Sequence, residues 1–397
     1  MSHTPVPEDY RWLISDAARP GLERAAGEAR SLVALTQSLR AAMGPARTHL
    51  VLELVELRRR AKAKFRHAER MFFTRQLLEQ ATDEQIGAYK AARFPGTQPV
   101  ADLCCGIGGD LLALASRTPV SGVDRDPLAL LYAEANCRAC GVAAVEFCAA
   151  DVNAFDLGAF AAWHLDPDRR PTGRRTTRVE LHEPSVATIS RLLSANGNAG
   201  LKLAPATVVP AEWAPVAELE WIESRGECRQ QVAWFGNLCG AAGQHTATVL
   251  QTGSGQPCSL RGLPNTELPQ APSIARYVVE PCSAVLAAHL TGVLAAQHRL
   301  AAITPGVAYL TGDALVANPL VACFEVSELL PFDIKRLRGL LRDRDVGQLE
   351  LKQRGVALDP AETIKKLRLS GNSPATLLLL PHRSSVVAIL ARRIGRR

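Results

Sequence analysis

The sequence predicts an α/β protein with a Rossmann-like parallel sheet in mid-chain, a helical region before it and a small α+β module after it. Three observations predict this. Val100 to Leu103 reads as a buried strand that breaks at Cys104-Cys105-Gly106-Ile107-Gly108-Gly109-Asp110 and restarts as a helix at Leu111. Further strand-like runs follow, closed by Asp124, Asp151 and Asp166. Two alternating runs, Glu218 to Glu223 and Gln231 to Phe235, then flank Arg225-Gly226 as a β-hairpin would.

Residues 1–95 read as helical. Apolar positions recur at helical spacing from Leu32 to Leu57, and Thr82 reads as the N-cap of a helix through Ala91. Between them lies a basic run of Arg58, Arg59, Arg60, Lys62, Lys64, Arg66 and Arg70. Such a run is usually a solvated helix face, and its density also admits a nucleic-acid contact.

Residues 96–274 carry the sheet. A strand, a glycine turn and a helix N-terminus together cradle a nucleotide, because glycine admits positive φ and lets a ligand reach the main chain. The dinucleotide fingerprint G-x-G-x-x-G fails, since position 111 is Leu111. The second strand, Pro119 to Asp124, ends in an acid able to accept both hydroxyls of a ribose. A helix from Pro127 to Cys140 leads to a third strand, Val145 to Ala150, ending at Asp151. A fourth, Ala161 to Leu165, delivers Asp166-Pro167-Asp168-Arg169-Arg170. Each aspartate alone could cap a helix or close a turn. In series they read as nucleoside binding. A helix Glu183 to Leu193 and a fifth strand Gly200 to Leu203 follow, then the hairpin. Gly253 to Pro272 reads as an exposed loop.

Residues 275–330 read as a bridging segment with a helix from Ala284 to Ala296. The module at 331–397 draws its first strand from Ala322–Val326. Helix 333–342, strand 348–353, helix 360–369 and strands 375–380 and 386–391 complete it.

Composition narrows the function. With 397 residues and 47% hydrophobic content the chain can bury more than one core. No run of apolar residues is long enough for a membrane span, and Met1 to Tyr10 lacks the features of a secretory signal. Ten scattered cysteines fit a reducing, cytoplasmic setting. Cys137-x-x-Cys140 lacks a second pair at zinc spacing, so no metal is expected. The net charge of +7 is uneven. Residues 331–397 hold 15 Lys/Arg against 6 Asp/Glu and residues 1–95 hold 16 against 11, while the middle holds 15 against 22. Basic modules beside an acidic core suit a polyanion such as RNA, although arginine on solvated faces explains part of the excess.

The glycine turn, as D-x-x-C-G-x-G-G, resembles motif I of class I S-adenosylmethionine (SAM) methyltransferases, and it is also similar to that of trimethylguanosine synthases. With Phe73-Thr74-Arg75, Leu78-Glu79-Gln80-Ala81-Thr82, Asp166-Pro167-x-Arg169-Arg170, Lys202-Leu203-Ala204-Pro205, Glu220-Trp221-Ile222, Ala308-Tyr309-Leu310-Thr311 and Lys352-x-Arg354-Gly355-Val356, the chain resembles a bacterial family of such enzymes with a C-terminal THUMP-like domain. The resemblance implies a seven-stranded sheet, SAM as cofactor and methylation of RNA. It places Asp102, Cys104, Gly106, Gly108, Gly109, Asp124 and Asp151 on the cofactor. Asp166, Pro167, Arg169 and Arg170 fall at the reacting methyl, with Arg174, Arg175, Lys352 and Arg354 on the substrate. Enzymes that methylate exocyclic amines typically continue Asn/Asp-Pro with Pro and an aromatic ring for stacking. Asp168 and Arg169 stand there instead. Two alternatives stay open: a SAM-binding RNA-interaction protein without catalysis, and a methyltransferase for a small molecule or protein. The oligomeric state is not legible.

Overall fold

The computed structural model describes residues 4–27, 31–143, 145–168, 176–251, 253, 255–383 and 385–394. The chain divides into two compact units, Met1–Ala217 with Val232–Ala242, and Glu218–Gln231 with Gly243–Arg397.

The first unit begins with helices α1 (Pro7–Leu13), α2 (Arg19–Ala26) and α3 (Leu32–Ala61). Helix α3 is kinked at Gly44, whose φ of 80° precedes Pro45 and interrupts the expected even run. Leu13, Leu22, Leu54 and Leu57 form a core that extends to Ile107 and Tyr132, so the helices are seated against the glycine turn. Helices α4 (Arg75–Gln80) and α5 (Glu84–Ala91) follow. Asp83, not Thr82, caps α5 by accepting from Ile86 N at 3.0 Å. The Thr82 hydroxyl is instead drawn to the buried carboxylate of Asp110, at 2.6 Å.

The sheet then builds through β1 (Val100–Leu103), α6 (Leu111–Ala115), β2 (Val120–Asp124), α7 (Pro127–Ala139), β3 (Val145–Ala149), β4 (Ala162–Leu165), α8 (Val186–Ala195) and β5 (Ala199–Leu203). Strand β1 pairs in parallel with β2 on one side and β4 on the other, placing Asp102 opposite His164. The strand order therefore reverses between β1 and β4, and a crevice opens at the carboxyl ends of the strands there. Helix α8 starts at Val186 rather than Glu183, because Ser185 caps it and the Glu183 backbone pairs with Asp168.

Strands β6 (Glu218–Ser224) and β7 (Glu227–Trp234) form the expected hairpin. Its turn residues Arg225 and Gly226 both have positive φ, as a type I′ turn requires. In the first unit the order is β3-β2-β1-β4-β5-β7, with β7 contributing Val232–Trp234.

In the second unit β6 pairs in parallel with β8 (His245–Leu250), which pairs antiparallel with β9 (Cys258–Gly262). Strand β9 lies inside the stretch read as a loop. Leu260 is buried there opposite Ala247, an apolar anchor that the Gly/Pro/Ser-rich surroundings mask. After β10 (Tyr277–Pro281), the expected single helix is two, α9 (Ser283–Ala287) and α10 (Thr291–His298), broken at His289 with φ 56°. Strands β11 (Ala301–Ala302), β12 (Leu310–Gly312) and β13 (Val321–Pro331) follow, then α11 (Ile334–Asp343), β14 (Val346–Gln353), α12 (Pro360–Leu367), β15 (Ser373–His382) and β16 (Ser385–Ile394). They form one sheet in the order β11-β12-β10-β13-β16-β15-β14. Leu337, Leu341 and Leu367 of the helices pack on Leu377, Leu379 and Leu390 on one face. Val278, Phe324, Leu378 and Ile389 fill the other. Among the described residues no helix is long and apolar enough to cross a membrane.

Candidate functional site: an acid-lined cavity at the strand ends

A cavity of about 300 Å³ lies in the first unit at the carboxyl ends of β1, β2 and β4, within the range of small-ligand sites. Asp102, Cys104, Gly106, Gly109, Asp124, Asp151, Asp166 and Pro167 all line it, so most of the predicted residues meet at one place. Gly106 has φ 55°, and a Cβ there would meet nothing within 4 Å. The main chain is thus bare toward open space. Gly109 has a different role. A Cβ there would come within 2.9 Å of the Thr82 carbonyl oxygen, so this glycine admits the segment before α5. Gly108 does not line the cavity, and its Cβ would point toward Leu111 and Ala133.

Asp124 is tied down by the chain around it. Its oxygens accept from Gly106 N and Asp126 N, each at 2.9 Å. Burial pushes its pKa up against these donors. Asp151 accepts from Asn153 N at 2.8 Å. Asp166 accepts from the Lys202 ammonium at 2.6 Å, and Lys202 also donates to the Gln80 carbonyl at 2.9 Å. The Gln80 side chain donates to Asp168 at 3.2 Å. Arg125 pairs with Glu183 at the rim.

Under the floor lies a buried polar array. His164 Nδ1 is 2.7 Å from Asp102 Oδ1, and His164 Nε2 is 3.2 Å from Lys90 Nζ. Lys90 in turn lies 2.7 Å from Asp110 Oδ1. Burial pushes the Lys90 pKa down and that of Asp102 up, the latter opposed by His164. Burial also acts to raise Asp110, but Lys90, His164 and Lys202 outweigh it and hold this carboxyl well below its usual range. Asp102 Oδ2 is fully buried and accepts no hydrogen bond among the described residues. Burial, with Asp124 and Asp102 nearby, raises the thiols of Cys104 and Cys105 well above their usual range, so neither is a ready nucleophile.

Arg169, Arg170, Arg174 and Arg175 lie outside the described residues. Lys352 and Arg354 are in the second unit, where they pair with the buried Glu280 at 2.8 and 3.2 Å. Sequence reading missed Lys90, Asp110 and Lys202 as site residues, together with Gln76, Leu77 and Glu79 to Thr82, which line the cavity. The basic run before that segment is partly structural. Lys64 donates to the carbonyls of Leu78, Glu79 and Ala81, and Arg58 to that of Met71. A usable signal existed for two of the missed residues. Asp110 directly follows the glycine turn, and Lys202 interrupts an otherwise apolar strand.

The chain is similar to known proteins along most of its length. It is 32% identical over 344 residues to an uncharacterized S-adenosylmethionine-dependent methyltransferase of Mycobacterium tuberculosis, found in strains CDC 1551 / Oshkosh and H37Rv. That alignment covers 83% of this chain and 91% of the relative. Residues 321–393 match the family described as THUMP domain-like. A crystal structure from Porphyromonas gingivalis W83, named as a methyltransferase, superposes with a TM-score of 0.76 at 20% identity, covering 98% of each chain. That likeness establishes the fold.

Proposed function

This chain belongs to the S-adenosylmethionine-dependent methyltransferases, and from that premise we propose that it methylates RNA, with the chemistry carried by residues 96–274 and RNA contacts by 331–397. The cavity fits the cofactor. The bare main chain at Gly106 admits close approach, and the unpartnered Asp102 Oδ2 offers an acceptor for an amine. Asp124 would take the ribose hydroxyls and Asp151 the adenine edge. When bound, the cofactor supplies an electrophilic methyl group on a sulfonium. Asp166 would then accept a hydrogen bond from the attacking group and take the proton it sheds. Lys202 already occupies Asp166 Oδ2, which leaves Oδ1 for this task and holds the carboxylate in place. Arg169 and Arg170 would line the substrate side, and Arg174 and Arg175 would meet phosphate. Among the described residues no cysteine forms a disulfide, which supports a cytoplasmic setting.

The observation that carries RNA as substrate is the THUMP domain-like match on the most basic part of the chain. THUMP domains are RNA-binding modules of tRNA- and rRNA-modifying enzymes. Within that module Arg342 pairs with Asp343, Arg344 with Glu328 and Lys366 with Glu362. The side-chain charges of Lys335, Arg336, Lys365 and Arg368 meet no carboxylate within 4 Å among the described residues, so they are the phosphate contacts this reading favours. Lys352 and Arg354 are already engaged by Glu280.

The deciding experiment transfers labelled methyl to total RNA and compares modified nucleosides between a deletion strain and its parent by mass spectrometry. Asp166→Ala should cut turnover about a hundredfold while cofactor affinity stays nearly unchanged. Wild-type turnover in this variant would make Asp166 structural. Methyl transfer to small molecules or protein but not to RNA would overturn the substrate.

A further inference from the structure

The array beneath the cavity has a direction. An ammonium can only donate hydrogen bonds, and Lys90, held by Asp110 at 2.7 Å, faces His164 Nε2 at 3.2 Å. Nε2 must therefore be the accepting nitrogen. This places the imidazole proton on Nδ1, which donates to Asp102 Oδ1 at 2.7 Å. The Thr82 hydroxyl and Lys90 fix Asp110 at the far end. Lys90, Asp102 and His164 are each about 1% exposed, so water cannot substitute for any of these partners. At the near end Asp102 Oδ2 remains, a buried acceptor with no partner among the described residues, on a residue that lines the cavity. Leaving such an oxygen unpaired is costly, and a ligand that donates to it removes the cost.

We propose that His164 is a positioning residue. Through the order Lys90 to His164 to Asp102 it occupies Oδ1 and turns Oδ2 toward the α-ammonium of the cofactor's amino-acid end. This rests on the reading of the cavity as the SAM site. His164 touches no substrate. It sets which oxygen of Asp102 is free and keeps the carboxylate from rotating into its own floor. Phe94, edge-on to the imidazole with ring centres 6.3 Å apart, restrains the ring further.

The test separates the two ends of the ligand. Titration calorimetry on the full chain would use S-adenosylhomocysteine, which keeps the amino-acid end, and methylthioadenosine, which lacks it. In His164→Gln the side-chain amide extends toward the Nε2 position and leaves Asp102 Oδ1 without its donor. S-Adenosylhomocysteine affinity should fall about tenfold or more, as for a lost charge-assisted hydrogen bond, with methylthioadenosine within about twofold of wild type. His164→Asn puts an amide nitrogen near the Nδ1 position and should restore S-adenosylhomocysteine to within about threefold. An equal loss for both ligands, or no loss for either, in His164→Gln overturns the proposal. Wild type that binds neither ligand overturns the cofactor reading and the proposal with it. Wild type that binds both leaves the cofactor reading standing whatever the variants do. If the Gln variant does not fold, ¹⁵N spectra of the wild-type imidazole decide. A neutral ring protonated on Nδ1 supports the assignment, and an Nε2–H tautomer or an imidazolium overturns it.

Discussion

Lys90 and Asp110 in the first unit meet at 2.7 Å with side chains 2% and 8% exposed, whereas Arg393 and Glu350 in the second unit pair with side chains 31% and 40% exposed. The chemistry of the two pairs is the same and the surroundings are opposite. In the first unit charge is taken out of water and arranged around a cavity. The second unit also buries carboxylates, among them Glu218 and Glu280, but around α11 and α12 its charge lies on elements whose interior is mostly leucine. The contrast teaches where each unit keeps its stability. A buried ion pair is a weak net stabiliser but very costly to break, because the survivor is left charged and unsolvated. An exposed pair is worth little either way. The first unit thus depends on a polar array that also serves the site, and the part of the second around α11 and α12 on apolar packing that leaves its surface charges available for a partner.

Breaking the buried pair should give the largest effect. Asp110→Asn removes the carboxylate while leaving Lys90 enclosed, and it should destabilise the first unit by about 3–5 kcal/mol. The Asp110 pKa is depressed in the folded state, so the native contribution is complete at neutral pH and is lost as pH falls through that depressed value. Urea unfolding of wild type and variant at pH 7 measures it. A loss below about 1 kcal/mol would place Lys90 among groups that shed their proton on burial, and the contrast between the units would weaken.

The matching test in the second unit is a core deletion. Leu379 is fully buried on the face of β15 beneath α11 and α12. Leu379→Ala should cost about 2–5 kcal/mol through lost burial and the cavity left behind. Cofactor affinity should stay within about twofold, since no described residue lining the cavity belongs to that unit. A marked drop in affinity would show that the two units are energetically coupled.

The sequence disclosed the class I methyltransferase sheet because the signals were local. Asp102, Gly106, Asp124, Asp151 and Asp166 sit at strand ends, and period and punctuation mark those ends without knowledge of the tertiary structure. The C-terminal strands and helices were legible for the same reason, since leucine-rich runs alternate with amphipathic helices. Legibility failed where one residue serves a distant one. Lys90 reads as an ordinary helix lysine until β4 brings His164 to it, and Thr82 reads as a cap until Asp110 claims its hydroxyl. Lys352 and Arg354 read as free cations until β10 presents Glu280. Strand β9 was hidden because its turn-forming neighbours outweighed a single buried Leu260. Spacing along the chain reports what each element does alone, whereas pairing between elements decides which polar groups remain for chemistry.

The smallest effect expected sharpens the comparison from its other side. Glu350 accepts from Arg393 Nε at 3.1 Å and from the Thr376 hydroxyl at 3.0 Å. Burial acts to raise its pKa, but Arg393 and Thr376 outweigh burial and lower it. A carboxylate depressed in the folded state stabilises at pH values above its unfolded pKa, and the contribution fades as pH falls through the folded value. Glu350→Gln should therefore cost under about 1 kcal/mol at pH 7, as for an exposed pair, and the cost should vanish once pH falls below the lowered folded pKa of Glu350. Salt should shrink it further, because both partners are reached by solvent. Unfolding curves of the two proteins at pH 7 and at acid pH, each with and without added salt, make the measurement. A cost of several kcal/mol that resists salt would mean that the strands packed under α11 and α12 also rely on enclosed charge, and the contrast with the buried array of the first unit would not stand.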